Sequence, residues 1–204
     1  PDLFHKITRT GKIDKVIAGI DAAVTAGFDR IRLNAVILQG QNESDVLPLT
    51  RFAIERGINL AFIEEMPLGQ VNAAGKPLEF VSSQDIRNTI EQAFDLIPEV
   101  APAQSGPARY WGIAGSSTRL GLISPHSNNF CSSCNRLRVT AEGRLLLCLG
   151  NEHSISLRDE LRAGATDAEI TERIRHALGY KPERHVFDRP DEPQILRFMN
   201  ASGG

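Results

Sequence analysis

Apolar residues recur at helical spacing over 13–26, where Ile13, Val16, Ile17, Ile20, Ala23 and Val24 form one stripe and Gly27 follows as a stop. The pattern predicts an amphipathic helix. Residues 30–38 read as a strand with Ile31, Leu33, Ala35 and Ile37 on one face. A second helix, capped by Ser44, is expected to end at Gly57, and a second strand to cover 59–66. Helix, strand, helix, strand with short connections is the rhythm of a parallel α/β sheet or barrel.

Residues 67–77 are rich in turn formers and mark a boundary. Beyond it, Ser82-x-x-Asp85 caps a helix to about Phe94, with Ile86, Ile90 and Ala93 inward. A joint at 101–107 leads to two strands, 110–113 and 119–123. These are expected to join a 136–149 hairpin in a small antiparallel sheet. Leu157 and Leu161 suggest a short helix. Thr166-x-x-Glu169 caps another, burying Ile170, Ile174, Ala177 and Leu178. Residues 181–193, charged and proline-containing, read as an extended arm.

Two of these strands carry unexpected polarity. Arg32 and Asn34 leave the face opposite the apolar residues, so they look onto either a functional lumen or an exposed sheet surface. Glu64 and Met66 share a face of the second strand, where methionine is ordinarily packing.

Composition narrows the function classes. The 204 residues have a formal charge of −2, with no basic surplus for wholesale nucleic-acid or membrane-surface binding. No apolar run approaches the length of a membrane span. Three cysteines in a metal-like array point to a reducing cytoplasm rather than a disulfide scaffold.

Those cysteines, Cys131, Cys134 and Cys148, all lie within residues 130–150. The alternation through Arg136 to Thr140, a turn at Ala141-Glu142-Gly143 and a second apolar run predict a β-hairpin, with Gly143 at the positive-φ position. The hairpin lays Cys148 opposite 135–136, so three thiolates converge. Zinc would need a fourth ligand, from His126 or His153, whereas a 4Fe–4S cluster leaves one iron without a protein ligand. A C-x-x-C redox pair is a third option. Arg136 and Arg138, two apart on a strand, leave one face beside the thiols, and paired guanidiniums suit phosphate. Open metal plus paired arginines reads as a site for a phosphorylated ligand. The blander readings are a structural zinc with solvated arginines and histidines that only pack or lie on the surface.

The stretch resembles the C-terminal cluster motif of the GTP 3′,8-cyclase (MoaA) family of radical S-adenosylmethionine enzymes. The family's C-x-x-C-x-R-x-R and third cysteine match Cys131, Cys134, Arg136, Arg138 and Cys148. Its barrel strands carry Lys-x-Asn and F-I-E-x-M, matched by Arg32, Asn34 and Phe62-Ile63-Glu64-Glu65-Met66. Arg32 replaces the usual lysine, and Ala61 stands where some members place a nucleotide-contacting arginine. Members also end in Gly-Gly, as Gly203 and Gly204 do here.

The resemblance implies a fold, a chemistry and a set of roles. The fold is α/β: the second half of a partial (β/α) radical barrel over 1–67, then a small α+β domain over 68–204 whose antiparallel sheet carries an Fe–S cluster. The reaction is conversion of GTP to (8S)-3′,8-cyclo-7,8-dihydroguanosine 5′-triphosphate in molybdenum-cofactor biosynthesis. Cys131, Cys134 and Cys148 would hold a 4Fe–4S cluster, and Arg32, Asn34, Arg136, Leu137 and Arg138 would bind GTP. Met66 would contact S-adenosylmethionine, and Gly203 and Gly204 would reach into the active site. The family's C-x-x-x-C-x-x-C, which holds a second 4Fe–4S cluster, does not occur in these residues. The chain is therefore expected to be a C-terminal portion that is inactive alone. A cytoplasmic enzyme, a homodimer and a downstream cyclic pyranopterin monophosphate synthase fit the same resemblance. The rival from another class is a zinc-stabilised phosphate- or nucleic-acid-binding module without catalysis.

Overall fold

The computed structural model describes residues 1–68, 80–100, 106–185, 187 and 202. Two sheets organise them. The larger has five strands in the order β1 (Arg32–Ile37), β2 (Asn59–Glu64), β5 (Arg119–Ile123), β4 (Arg109–Ile113) and β3 (Leu96–Glu99). The β1–β2 and β2–β5 pairs are parallel, and β5–β4 and β4–β3 are antiparallel. The smaller sheet is antiparallel: β6 (Arg138–Val139), β7 (Arg144–Leu146) and β8 (Ser154–Ser156).

The first half follows its periodicity. After a short helix α1 (Asp2–Thr8), helix α2 (Ile13–Thr25) closes at Gly27, whose φ of 75° completes the stop. Ile17 and Ile20 are half-buried, while Val16 and Val24 stay exposed at the stripe's margins. Helix α3 (Val46–Glu55) crosses between β1 and β2. Ser44 does not cap it. It lies in a 3₁₀ turn, Glu43–Asp45, that leads into the helix. The sharper local chemistry belongs to its neighbours: Asn42 Oδ1 accepts from the Leu38 amide, and Glu43 accepts from that of Gly40.

The core lies under one face of the five-stranded sheet. Leu33, Ala35 and Ile37 of β1 pack with Leu60, Phe62, Leu120, Leu122 and Trp111, covered by α3 and by Ile86 and Ile90 of α4 (Ser83–Glu91). Burying each large apolar side chain contributes about 1.5–3 kcal/mol. Helix α4 begins where expected, the Ser82 hydroxyl accepting from the Asp85 amide, but ends at Glu91, so Ala93 is exposed.

The opposite face is the polar one. The pairing register aligns Asn34, Ala61, Gly121 and Tyr110 in one row, with Arg32 two residues along the same face. Ala61 and Gly121 make a low floor. A side chain at 121 would come within 3.2 Å of both Ala61 and Tyr110.

One expectation about pairing fails. Strands β4 and β5 do not join the 138–146 hairpin but extend the sheet begun by β1 and β2. The parallel edge of β2 takes β5, and the hairpin takes β8 instead. Helices α5 (Leu157–Arg162) and α6 (Asp167–Leu178) follow. Thr166 and Glu169 form a full capping box on α6, and Ala177 packs on Leu145 and Leu147 while Leu178 is exposed. Among the described residues no helix is long and apolar enough to cross a membrane.

Candidate metal and nucleotide site

The loop that carries the first two cysteines is anchored by a buried carboxylate. Glu64, at the end of β2, is fully buried. Its Oε1 accepts from the Ser83 amide at 2.8 Å and from the Ser127 hydroxyl. Its Oε2 accepts from the amides of His126 and Ser127 at 2.9 and 3.0 Å. Burial alone would push its pKa up; the four hydrogen bonds outweigh that and hold it below the ordinary glutamate value. Its neighbour Glu65, without such donors, is pushed up by burial.

The next residues are wedged by aromatic packing. His126 stacks on Phe80 at 4.5 Å and donates from Nε2 to the Glu65 carbonyl. His185 stacks on Phe187 at 4.3 Å. Its Nδ1 accepts from the Phe187 amide, so Nε2 carries the proton and donates to the Pro125 carbonyl at 2.8 Å. The chain from Lys181 to His185 is thus not an extended arm: it folds back so that His185 is only 6% exposed. Residues 188–193 of the expected arm lie outside the described residues. His126 and His185 are packed histidines, and His153 is exposed.

Asn129 then accepts from the Cys131 amide at 2.7 Å, and Cys131–Ser133 forms one 3₁₀ turn closed by the Cys134 amide on the Cys131 carbonyl. Cys134 itself is extended, and β6 begins four residues on at Arg138. The hairpin closes as the spacing predicts, with Gly143 at φ 74° and its amide on the Thr140 carbonyl. Arg138 pairs with Leu146. Continuing that register by two residues sets Cys148 level with Arg136.

All three cysteines are free and half-buried. The Cys148 thiol is pushed above its ordinary value by burial, with a smaller upward push from Cys131 and Cys134. The Gly150 amide and the Lys181 charge oppose it. Among the described residues, however, no three His, Cys, Asp or Glu side chains gather closely enough for one metal ion. Two thiols ride a turn, and Cys148 lies beyond the last paired residue of β7, so no ladder bond draws it in. Cys131 and Cys134 line a cavity of about 670 Å³ with Asn129, Leu178, Lys181 and Arg184. Two half-buried thiols on that wall, with a third half-buried thiol on the other hairpin arm, are the soft donors that a thiolate-ligated group needs.

The other candidates are more scattered. Arg136 is exposed and lies over Gly106, where a Cβ would stand 2.0 Å from its guanidinium. Leu137 is 38% exposed, and Arg138 is half-buried at the start of β6. Arg32 donates to the Tyr110 hydroxyl at 2.9 Å on the polar face of the large sheet, with Asn34 exposed beside it. Met66 follows β2 and is half-buried. Gly203 and Gly204 lie outside the described residues, although Ser202 just before them is 1% exposed.

Residues 58–187 match the family described as Molybdenum Cofactor Synthesis C. The chain belongs to this family. It is 53% identical to the GTP 3′,8-cyclase of Pseudomonas entomophila over 206 residues, covering all of this chain and 61% of the relative. The Pseudomonas putida W619 GTP 3′,8-cyclase is 54% identical, with 98% of this chain and 60% of the relative aligned. That of Saccharophagus degradans is 48% identical, with 98% and 61% aligned. The chain thus spans about three fifths of the length of these relatives.

Within the family match, three residues of the site carry no motif signal: Gly106, Lys181 and His185. A glycine in a loop, a lysine before a proline and a lone histidine are ordinary in sequence. Only the fold brings Lys181 to the two hairpin arms, Gly106 under Arg136, and His185 against Pro125 and Asn129.

Proposed function

We propose that this chain is the cluster- and substrate-binding portion of a GTP 3′,8-cyclase. The observation that carries the reading is the three-cysteine site with Arg136 and Arg138 on the run between Cys134 and Cys148, in a chain about half identical to proteins of that name. Cys131, Cys134 and Cys148 would hold a 4Fe–4S cluster, which supplies an open iron where a guanine nitrogen or oxygen can bind. S-adenosylmethionine supplies the radical that lets the ribose carbon join the guanine ring. The chain's own residues bind and orient GTP. Arg136 and Arg138 are permanently cationic forks for ribose or triphosphate oxygens. Arg32 and Asn34 offer donors from the polar sheet face, with Ala61 and Gly121 leaving room above them. Met66 would pack against S-adenosylmethionine, and Gly203 and Gly204 would order the substrate. The cyclised nucleotide passes to a cyclic pyranopterin monophosphate synthase.

Anaerobic reconstitution with iron and sulfide tests this. The expected result is brown protein with about four irons per chain and cluster-dependent GTP binding. Colourless protein with one zinc per chain would establish the zinc-module reading instead. The chain holds three cysteines, all in this site, and spans about three fifths of its relatives' length, so radical initiation is assigned to the part of those relatives that it does not cover. Hence no cyclised product is expected from this chain with S-adenosylmethionine, reductant and GTP.

Gly106 supplies a second check. Its φ of 84° and the Arg136 guanidinium over it leave no place for a methyl group. Gly106→Ala should displace Arg136 and weaken GTP binding about tenfold, the loss of one charge-assisted contact. Iron content should stay unchanged, and calorimetric titration against Arg136→Ala gives the reference value.

A further inference from the structure

Backbone pairing in the hairpin stops at Arg138 and Leu146. The cysteines lie beyond that point, Cys134 on one arm and Cys148 on the other, where no ladder bond fixes the distance between the arms. Among the described residues, one side chain spans them. Lys181 Nζ donates to the Leu147 carbonyl at 2.6 Å and to the Arg136 carbonyl at 3.0 Å. Leu147 immediately precedes Cys148, and Arg136 stands two residues after Cys134.

The lysine itself is firmly placed. Helix α6 docks on the hairpin through Ala177 against Leu145 and Leu147. The helix end then turns through the Tyr180 amide on the Ala177 carbonyl and the Lys181 amide on the Leu178 carbonyl. Lys181 also lines the cavity shared by Cys131 and Cys134, and among the described residues it has no carboxylate ion partner.

We propose that Lys181 is a positioning residue for the three-cysteine site: its ammonium replaces the absent ladder bonds, sets the spacing of the two thiol-bearing arms, and leaves a positive charge beside whatever anionic group the thiolates hold. A half-buried ammonium with two carbonyl acceptors keeps one donor free, on a residue that lines the cavity. The proposal rests on the thiolate-site reading of the proposed function for the charge role. The clamp itself does not depend on which group is bound.

The test uses the full chain and Lys181→Met, which keeps the stem and removes charge and donors. In the reduced apo chain, dibromobimane joins thiols that lie close together, and peptide mapping tells which pair it joined. Cross-linking of Cys148 to Cys131 or Cys134 should fall at least threefold in Lys181→Met. The Cys131–Cys134 cross-link, set by its own turn, should not change. Apo melting should be nearly the same in both chains, since a general loosening would lower every yield together. After reconstitution, Lys181→Met should lose iron to a chelator about tenfold faster and show a more negative reduction potential. Lys181→Arg should restore the potential through its charge. Equal Cys148 cross-linking in Lys181→Met and the unaltered chain would overturn the clamp. Equal potentials would overturn the charge role. A chain that takes up no iron would sink the cluster reading alone, because the cross-link ratio still decides the clamp.

Discussion

Glu64→Gln is expected to destabilise the chain by about 2–4 kcal/mol, read as a lower urea midpoint at neutral pH. The argument is one of donors and acceptors. Each Glu64 oxygen accepts two hydrogen bonds, Oε1 from the Ser83 amide and Ser127 hydroxyl, Oε2 from the His126 and Ser127 amides. A glutamine keeps one oxygen and turns an NH₂ on the other pair, so two donors in a buried site lose their partner. The pH dependence has a definite sign. The folded pKa lies below the ordinary 4.5, so the stability Glu64 confers is present above that value and is lost as pH falls through the folded pKa. Wild type and Glu64→Gln should therefore converge in acid. Glu65 runs the other way: burial raises its pKa, so its contribution favours low pH and is lost as pH rises through the raised value. Glu65→Gln should cost nothing at neutral pH. Equal losses in the two variants would refute the anchoring role of Glu64.

What the chain discloses in one dimension is local. The stripe over 13–26, the Ser82 and Thr166 caps and the Gly143 turn are each set by residues within a few positions, and each is found. Strand β3 escapes such a reading because it is four residues long and contains Pro98, which is tolerated only because β3 is the edge of its sheet. Sheet membership escapes for a different reason. Leu60 pairs with Leu120 across sixty positions, and nothing near either residue says whether β5 will take β2 or the hairpin.

The same division runs through the site. Cys131, Cys134 and Cys148 announce themselves by spacing, and the turn at Gly143 sets the register of the arms as far as Arg138 opposite Leu146. Their mutual approach is weaker than the spacing implies, because Cys148 lies past the end of β7. Glu64 belongs to a motif, yet its task of tying β2 to the loop before Cys131 depends on where Ser83, His126 and Ser127 end up. Lys181 and Gly106 act through contacts 45 and 30 positions away along the chain, on Arg136.

Cys148→Ser should have the largest effect on the site: iron uptake on reconstitution falling from about four per chain to well under one. Serine is nearly isosteric, but its hydroxyl stays protonated where a thiolate is needed. The two remaining thiols ride one short turn and cannot enclose a group between the arms. The apo chain should melt within about 1 kcal/mol of wild type, since Cys148 is half-buried and lies outside both apolar cores. That pair of results separates the two readings of the site. A structural zinc contributes folding free energy outright, so if zinc were the occupant, the metal-bound wild type would be far more stable than Cys148→Ser and chelator would unfold it. For a cluster that serves substrate binding, the fold survives on the Leu145, Leu147 and Ala177 packing, and only the iron and the affinity for GTP are lost.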